Sequence, residues 1–186
     1  MTQKAESKPQ LSHNTPSASF DTCGADTTSL IASERGVFPP SAHNRVTLLA
    51  EGKQAWETLL ALIQNARHTV YIATFILGRD ETGRALVQAL AKKAAEGVEV
   101  CLLLDAVGSL KVTKTFLAPL VAAGGQVAFF MPMIHWPFRG RANLRNHRKI
   151  VICDGTAAVI GGMNIASEYM GPRESLSRWQ DLSLSV

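Results

Sequence analysis

The sequence predicts an α/β fold, a sandwich with a largely parallel sheet, and three observations carry that prediction. Apolar, β-branched runs alternate with segments of helical periodicity between residues 45 and 131. Val98 to Leu104 is apolar at nearly every position, the pattern of a strand covered on both faces. Glycines and an acidic turn punctuate the helical segments where helices stop and start. With 186 residues, 46% apolar and 18% charged, the chain has the length of one domain with a sizeable core and is too apolar to be wholly disordered. It contains no uninterrupted apolar run long enough to span a bilayer.

Each element follows in order. Residues 1–44 are rich in Ser, Thr, Asn and Pro, show no sustained apolar period, and read as a flexible leader before a folded domain over 45–186. From Gln54 to Ala66, Trp56, Leu59, Leu60 and Ile63 recur as one helix face. Thr69 to Leu77 is β-branched and aromatic, hence a buried strand, and Asp80-Glu81-Thr82 supplies an acidic helix start. Leu86, Val87, Leu90 and Ala94 carry the next helix, which Gly97 closes. The Val98 to Leu104 strand ends at Asp105, whose expected work is to cap the following loop, with lining the site as the alternative. Phe116, Leu117, Leu120 and Val121 share a helix face that Gly124-Gly125 stops, and Gln126 to Met131 makes another strand. Asn146 to Cys153 and Ala157 to Ile160 read as a hairpin around Asp154-Gly155, and Leu182 to Val186 as a last strand.

Charge and cysteine usage narrow the function classes. The net charge is +4, and residues 1–45 are balanced, so the excess lies in residues 46–186 with 15 basic against 11 acidic side chains. Arg139, Arg141, Arg145, Arg148 and Lys149 fall within one acid-free stretch, which suits phosphates of lipid or nucleic acid. Cys101 and Cys153 sit in apolar runs and Cys23 stands alone, so neither a disulfide framework nor a metal knuckle is expected. The first residues lack the apolar core of a secretory signal.

The hairpin carries the chemistry. If Asp154-Gly155 is the whole turn, Cys153 pairs with Thr156 and His147 lies opposite Gly162. A side-chain period of two then puts His147 and Lys149 on one face, roughly 6.6 Å apart along the strand. Gly161-Gly162-Met163-Asn164 follows the second strand, where bare backbone could cradle an anion and Asn164 could offer an amide donor. An imidazole to attack phosphorus, with cationic and N–H groups to hold its oxygens, is the inventory for phosphoryl chemistry without a metal. A nucleophilic imidazole wants an acid behind it, and Asp181 is the candidate, with Asp154 as rival whose place in an Asp-Gly turn is already explained structurally. A metal site from His147, Asp154 and Asp181 is disfavoured, because Lys149 and Arg148 repel a cation. No cofactor is expected.

His147-x-Lys149 with Asp154, then Gly161-Gly162-x-Asn164, resembles the HKD signature of the phospholipase D superfamily. The run Asn143 to Val151, Glu168-Tyr169, Trp179-x-Asp181, Leu102 to Asp105 and Gly108-Ser109 are similar to bacterial cardiolipin synthases, so the likeness covers roughly residues 45–186. The resemblance implies an α-β-α sandwich with helices on both faces of a mixed, largely parallel sheet. It implies a phosphohistidine mechanism that transfers a phosphatidyl group between phosphatidylglycerol molecules. In that mechanism His147 is nucleophile or acid partner, Lys149 and Asn164 bind phosphate, and Asp181 orients the imidazole. Those enzymes carry two HKD motifs and this chain has one, so the expectation is either a first half truncated at its C-terminus or a homodimer in which each subunit supplies a motif.

The segment from Phe129 to Phe138 is aromatic and runs into Arg139 and Arg141, so Trp136, Phe138, Arg139, Arg141 and Arg145 either contact anionic lipid or, for the aromatics, fill the core. The implied setting is peripheral, at the cytoplasmic face of the cell membrane. The alternatives are a phospholipase D-like hydrolase, a dimeric endonuclease acting on nucleic acid, and an inactive fragment or anion-binding module.

Overall fold

In a computed structural model of the chain, the described residues are 42–131 and 145–186. Residues 44–186 form one compact unit, while nearly all of the expected leader lies outside the described residues. The elements run β1 (Thr47–Leu49), α1 (Gly52–Asn65), β2 (Thr69–Thr74), α2 (Glu81–Ala95), β3 (Glu99–Asp105), α3 (Lys114–Ala122), β4 (Gln126–Phe130), β5 (Ile150–Cys153), β6 (Ala157–Gly161) and β7 (Ser183–Ser185). The short β1 has no counterpart in the sequence reading.

Local chemistry explains the boundaries. Asp80 accepts the Gly83 N–H at 2.9 Å as N-cap of α2, with Glu81 in the first turn and Lys92 and Lys93 in the last, each matched to the helix dipole. Gly97 then takes a φ of +88°, the left-handed conformation that ends a helix at low cost. Thr113 caps α3 through the N–H of Phe116.

The seven strands form one sheet in the order β1-β7-β6-β5-β2-β3-β4. The α/β class and the mixed sheet match expectation, but among the named strands parallel pairing is limited to β2–β3 and β3–β4. The β5–β6 hairpin inserts beside β2, and the chain returns through β7 to β1, so the other four pairings are antiparallel. The β2-α2-β3 and β3-α3-β4 crossovers bring α2 and α3 into one core against the sheet. There Leu59, Ile63, Leu86, Leu90, Leu117 and Leu120 pack against Val70, Ile72, Val100, Leu102, Leu104 and Val151 in a single core. Burying each such side chain contributes about 1.5–3 kcal/mol. The opposite face presents Tyr71, Ile152, Ile160 and Leu184 at 36–43% exposure, and the second helical layer of the expected sandwich is not found among the described residues.

The hairpin register differs from the expected one by one residue. Asp154 and Gly155 have φ of +53° and +66°, the turn closes with the Thr156 N–H donating to the Cys153 carbonyl at 3.1 Å, and Cys153 pairs with Ala157. Thr156 stays in the turn, so Lys149 comes opposite Gly161, whose N–H donates to the Lys149 carbonyl at 3.1 Å, and the expected placement of His147 opposite Gly162 is shifted by one residue. The strand also starts at Ile150 instead of Asn146. Its partner β2 is last matched at Ala73 opposite Ile150, so residues 146–149 run extended beyond the ladder.

Asp154 is a clasp for this turn. Its carboxylate accepts the backbone N–H groups of Arg67, His68 and Thr69 at 2.8–2.9 Å, tying the hairpin to the start of β2. Those three bonds hold its carboxyl down at about 2. Because the folded value lies below the unfolded one, the stabilisation is complete above the ordinary carboxylate range and is lost as pH falls toward 2. Asp154→Ala should therefore lower the Tm at neutral pH and flatten the fall in Tm of the wild type between about pH 4 and 2; equal acid sensitivity in both proteins would contradict the clasp.

Candidate active site

The carboxyl ends of β2 and β3, the residues leading into β5, the end of β6 and the lead-in to β7 all meet at one edge of the sheet. That is the edge where ligands bind in open α/β sheets. His147, Lys149, Asn164 and Asp181 stand there. Asp154 stands at the other edge, five residues of chain from Lys149 or roughly 16 Å along an extended strand. This corrects the catalytic expectation for Asp154: the signature aspartate holds the far turn.

His147 and Lys149 are brought together. The Lys149 Nζ lies 3.0 Å from Nδ1 and 3.1 Å from Nε2 of the His147 ring, and it donates to the His147 carbonyl at 2.9 Å. The imidazole is exposed, whereas Lys149 is only 7% exposed. Burial lowers the pKa of this ammonium, and the charge of Asp181 partly offsets the effect. Phe75, just past the end of β2, completes the cluster: its ring centroid is 4.7 Å from that of His147 at a tilt of 54°, and the ammonium sits 5.5 Å from the same ring.

The glycine corner differs from a phosphate cradle. A Cβ on Gly162 would collide with the carboxylate of Asp181, and one on Gly161 with Ser183. The Gly161 N–H is bonded to the Lys149 carbonyl, and the Gly162 N–H to the Leu182 carbonyl at 2.8 Å. Neither glycine offers a free donor or open space, so the phosphate-binding expectation for Gly161 and Gly162 is corrected. Their small size lets the lead-in to β7 approach closely, and that approach is what delivers Asp181.

Asp181 accepts the N–H of Leu182 at 2.7 Å and makes no hydrogen bond to the His147 ring. Its charge acts on Lys149. Asn164 is 3% exposed and accepts the Ile76 N–H at 3.0 Å through Oδ1, which leaves its amide nitrogen as the group able to donate.

Asp105, fully buried, accepts from Val107 at 2.9 Å and Gly108 at 3.2 Å as the expected loop cap, and its second oxygen accepts the Asn146 N–H at 3.0 Å. Burial alone would raise its carboxyl, but these N–H bonds and the charge of Arg145 outweigh it and hold the value low. Arg145, read as a lipid contact, instead directs its guanidinium to Asp105 at 3.6 Å and to the Met131 carbonyl at 3.3 Å. Trp136, Phe138, Arg139 and Arg141 lie outside the described residues. Sequence reasoning missed Phe75, whose one signal was an aromatic side chain at the carboxyl end of a strand in such a sheet.

Among the described residues, no three His, Cys, Asp or Glu side chains gather as a metal site would require, and no helix is long and apolar enough to cross a membrane.

A family model described as cardiolipin synthase, PLD-like domain, matches residues 59–181. The chain is similar to "Cardiolipin synthase A" of Pseudomonas putida (strain W619), 40% identical over 151 residues, which is 81% of this chain and 32% of that protein. It thus spans about a third of the length of the curated relatives it matches. Two solved structures share the fold. Phosphatidylserine synthase from Haemophilus influenzae Rd KW20 aligns with a TM-score of 0.59 at 19% identity, covering 76% of this chain and 32% of that one. NucT from Helicobacter pylori aligns at 0.55 and 18% identity, covering 75% and 83%. With the His147-x-Lys149 pair at the sheet edge and the family match over most of the domain, the chain belongs to the cardiolipin synthase family of phospholipase D-like domains.

Proposed function

We propose that this chain supplies one half-site of a phosphatidyltransferase of the cardiolipin synthase type. The observation that carries the reading is the contact between a buried ammonium and an exposed imidazole, Lys149 Nζ to His147 at 3.0 Å, at the ligand-binding edge of the sheet. A neutral His147 nitrogen attacks the phosphorus of an anionic glycerophospholipid, a P–N bond forms, and the P–O bond to the departing alcohol breaks. The alkoxide takes its proton from an acid supplied by a second HKD motif. The acceptor hydroxyl then gives its proton back to that group and attacks phosphorus, and the P–N bond breaks.

In this reading Lys149 and the Asn164 amide hold the non-bridging phosphate oxygens, where charge accumulates. Asp181 serves the imidazole through Lys149, keeping the ammonium charged. The second motif comes from a longer chain or from a second copy, and phosphatidylglycerol is the proposed donor. The segment containing Trp136, Phe138, Arg139 and Arg141 meets the anionic surface from the cytoplasmic side.

Incubation with phosphatidylglycerol should release glycerol and a four-chain lipid together, whereas hydrolysis would release phosphatidic acid and glycerol without that lipid. With a slow phosphodiester, an acid-labile phosphoryl adduct should accumulate on His147, and His147→Asn should abolish it and reduce turnover by about three orders of magnitude or more. An adduct that persists in the variant would refute the nucleophile.

The pH profile tests the role of Asp181. Its charge raises the pKa of Lys149, so Asp181→Asn should let the ammonium lose its proton at lower pH. The alkaline limb of kcat/KM should therefore move to lower pH in Asp181→Asn, and an unmoved limb would exclude action through Lys149.

A further inference from the structure

We propose that Phe75 is a positioning residue for the half-site, its ring face fixing both the His147 imidazole and the Lys149 ammonium; this rests on the phosphoryl-transfer reading above.

Phe75 is half-buried and does not belong to the hydrophobic core or to the apolar side chains packed against it. Its ring instead meets the two side chains of the signature, His147 at 4.7 Å between centroids and the Lys149 ammonium at 5.5 Å. Both contacts fall in the range where an aromatic quadrupole orients its partner. An aromatic placed there for packing alone would face the core, as Phe116 does.

The backbone carrying that ring is fastened from three sides. The Ser109 hydroxyl donates to the Phe75 carbonyl at 3.1 Å and accepts the Leu77 N–H at 3.0 Å. Asn164 accepts the Ile76 N–H, and Thr74 donates to the Ile76 carbonyl at 3.1 Å. Ile165 pairs with the same stretch through the Gly78 N–H at 2.8 Å. Gly108 lies so close to the Phe75 carbonyl that a Cβ there would collide with it. Ser109, Thr74 and Asn164 are all buried polar side chains, so this short stretch of loop is tied down by hydrogen bonds shielded from water. The ring it presents then limits how far the imidazole can rotate against Lys149, which lies at similar distances from both ring nitrogens.

The ammonium has few other neighbours of consequence. Among the described residues, the charged or titratable groups facing it are His147 on its own segment and Asp181 before β7. Around its stem α1 contributes Leu59, β2 Thr74, β6 Val159 and the following loop Met163 and Ile165, none of them charged. The π face of Phe75 therefore adds directly to what favours the charged form of Lys149.

The test compares wild type with Phe75→Leu, Phe75→Met and Phe75→Tyr in the full chain. A soluble chromogenic phosphodiester reports turnover, and NMR of the His147 ring and the Lys149 ammonium reports geometry without turnover. Leu and Met keep apolar bulk without a ring, and Tyr restores the ring. The leucine and methionine variants should lose roughly tenfold or more in kcat with KM within about twofold. Their Lys149 titration should fall by roughly half a pH unit, and the His147 ring signals should lose the shift imposed by the neighbouring ring. Phe75→Tyr should recover all three. Unchanged ring signals and an unchanged Lys149 titration in both ringless variants would overturn the proposal. If the wild type turns over no phosphodiester even when a second HKD motif is supplied, the phosphoryl-transfer reading fails on that result, while the NMR comparison still decides whether Phe75 positions the pair.

Discussion

An ammonium removed from water must be compensated by charge, hydrogen bonds or polarisable surface, and the arrangement of this domain's active edge follows from how Lys149 is compensated. Its side chain enters the core side of the sheet just beyond the ladder, where burial disfavours the charged form. The His147 carbonyl and ring, the face of Phe75 and the negative charge of Asp181 then converge on the amine from three separate parts of the chain. Each of these is itself fixed by something less mobile: Phe75 by Ser109, and Asp181 by its approach over Gly162. The ammonium is therefore the point at which these groups converge, and the imidazole is the member of the pair exposed to solvent.

The hairpin separates structural from chemical work along its length. At the turn, Asp154 answers three N–H groups at the start of β2 and so fixes where β5 lies against the parallel strands. At the opposite end, Asp105 holds the Asn146 N–H immediately before His147, and Arg145 closes over that carboxylate. Two buried or bonded carboxylates, one per end, thus set the register and the exit path of the segment that bears His147 and Lys149. A carboxylate that already accepts three N–H bonds is a poor proton carrier, because its charged form is strongly favoured. Among the described residues no carboxylate is bonded to the His147 ring, which instead contacts the Lys149 ammonium.

Much of the fold and part of the site were legible in the residues. Helix faces such as Trp56, Leu59 and Ile63, and stops such as Gly97 and Gly124, are local signals that packing did not override. The pairing of His147 with Lys149 was legible for the same reason, since two residues of extended chain return a side chain to the same face. The glycine corner was misread because Gly-Gly signals only that something approaches closely. It does not say whether that is a ligand or, as here, the lead-in to β7. The hairpin register was misread by one position because a turn with two positive φ values can carry an extra residue with no change in composition.

The sequence by itself determined the element types other than β1, the alternation that builds β2-α2-β3-α3-β4, the His147-x-Lys149 pair and the family signature, because all of these are written in spacings of a few residues. Only the tertiary structure decided that Phe75 would lie against that pair, that Asp181 would reach it across Gly162, and that Asp154 would be left at the far edge. Those outcomes depend on strand order and register between segments far apart in the chain. A pattern with a period of two or 3.6 fixes which face a side chain takes but carries no information about which distant strand it will face.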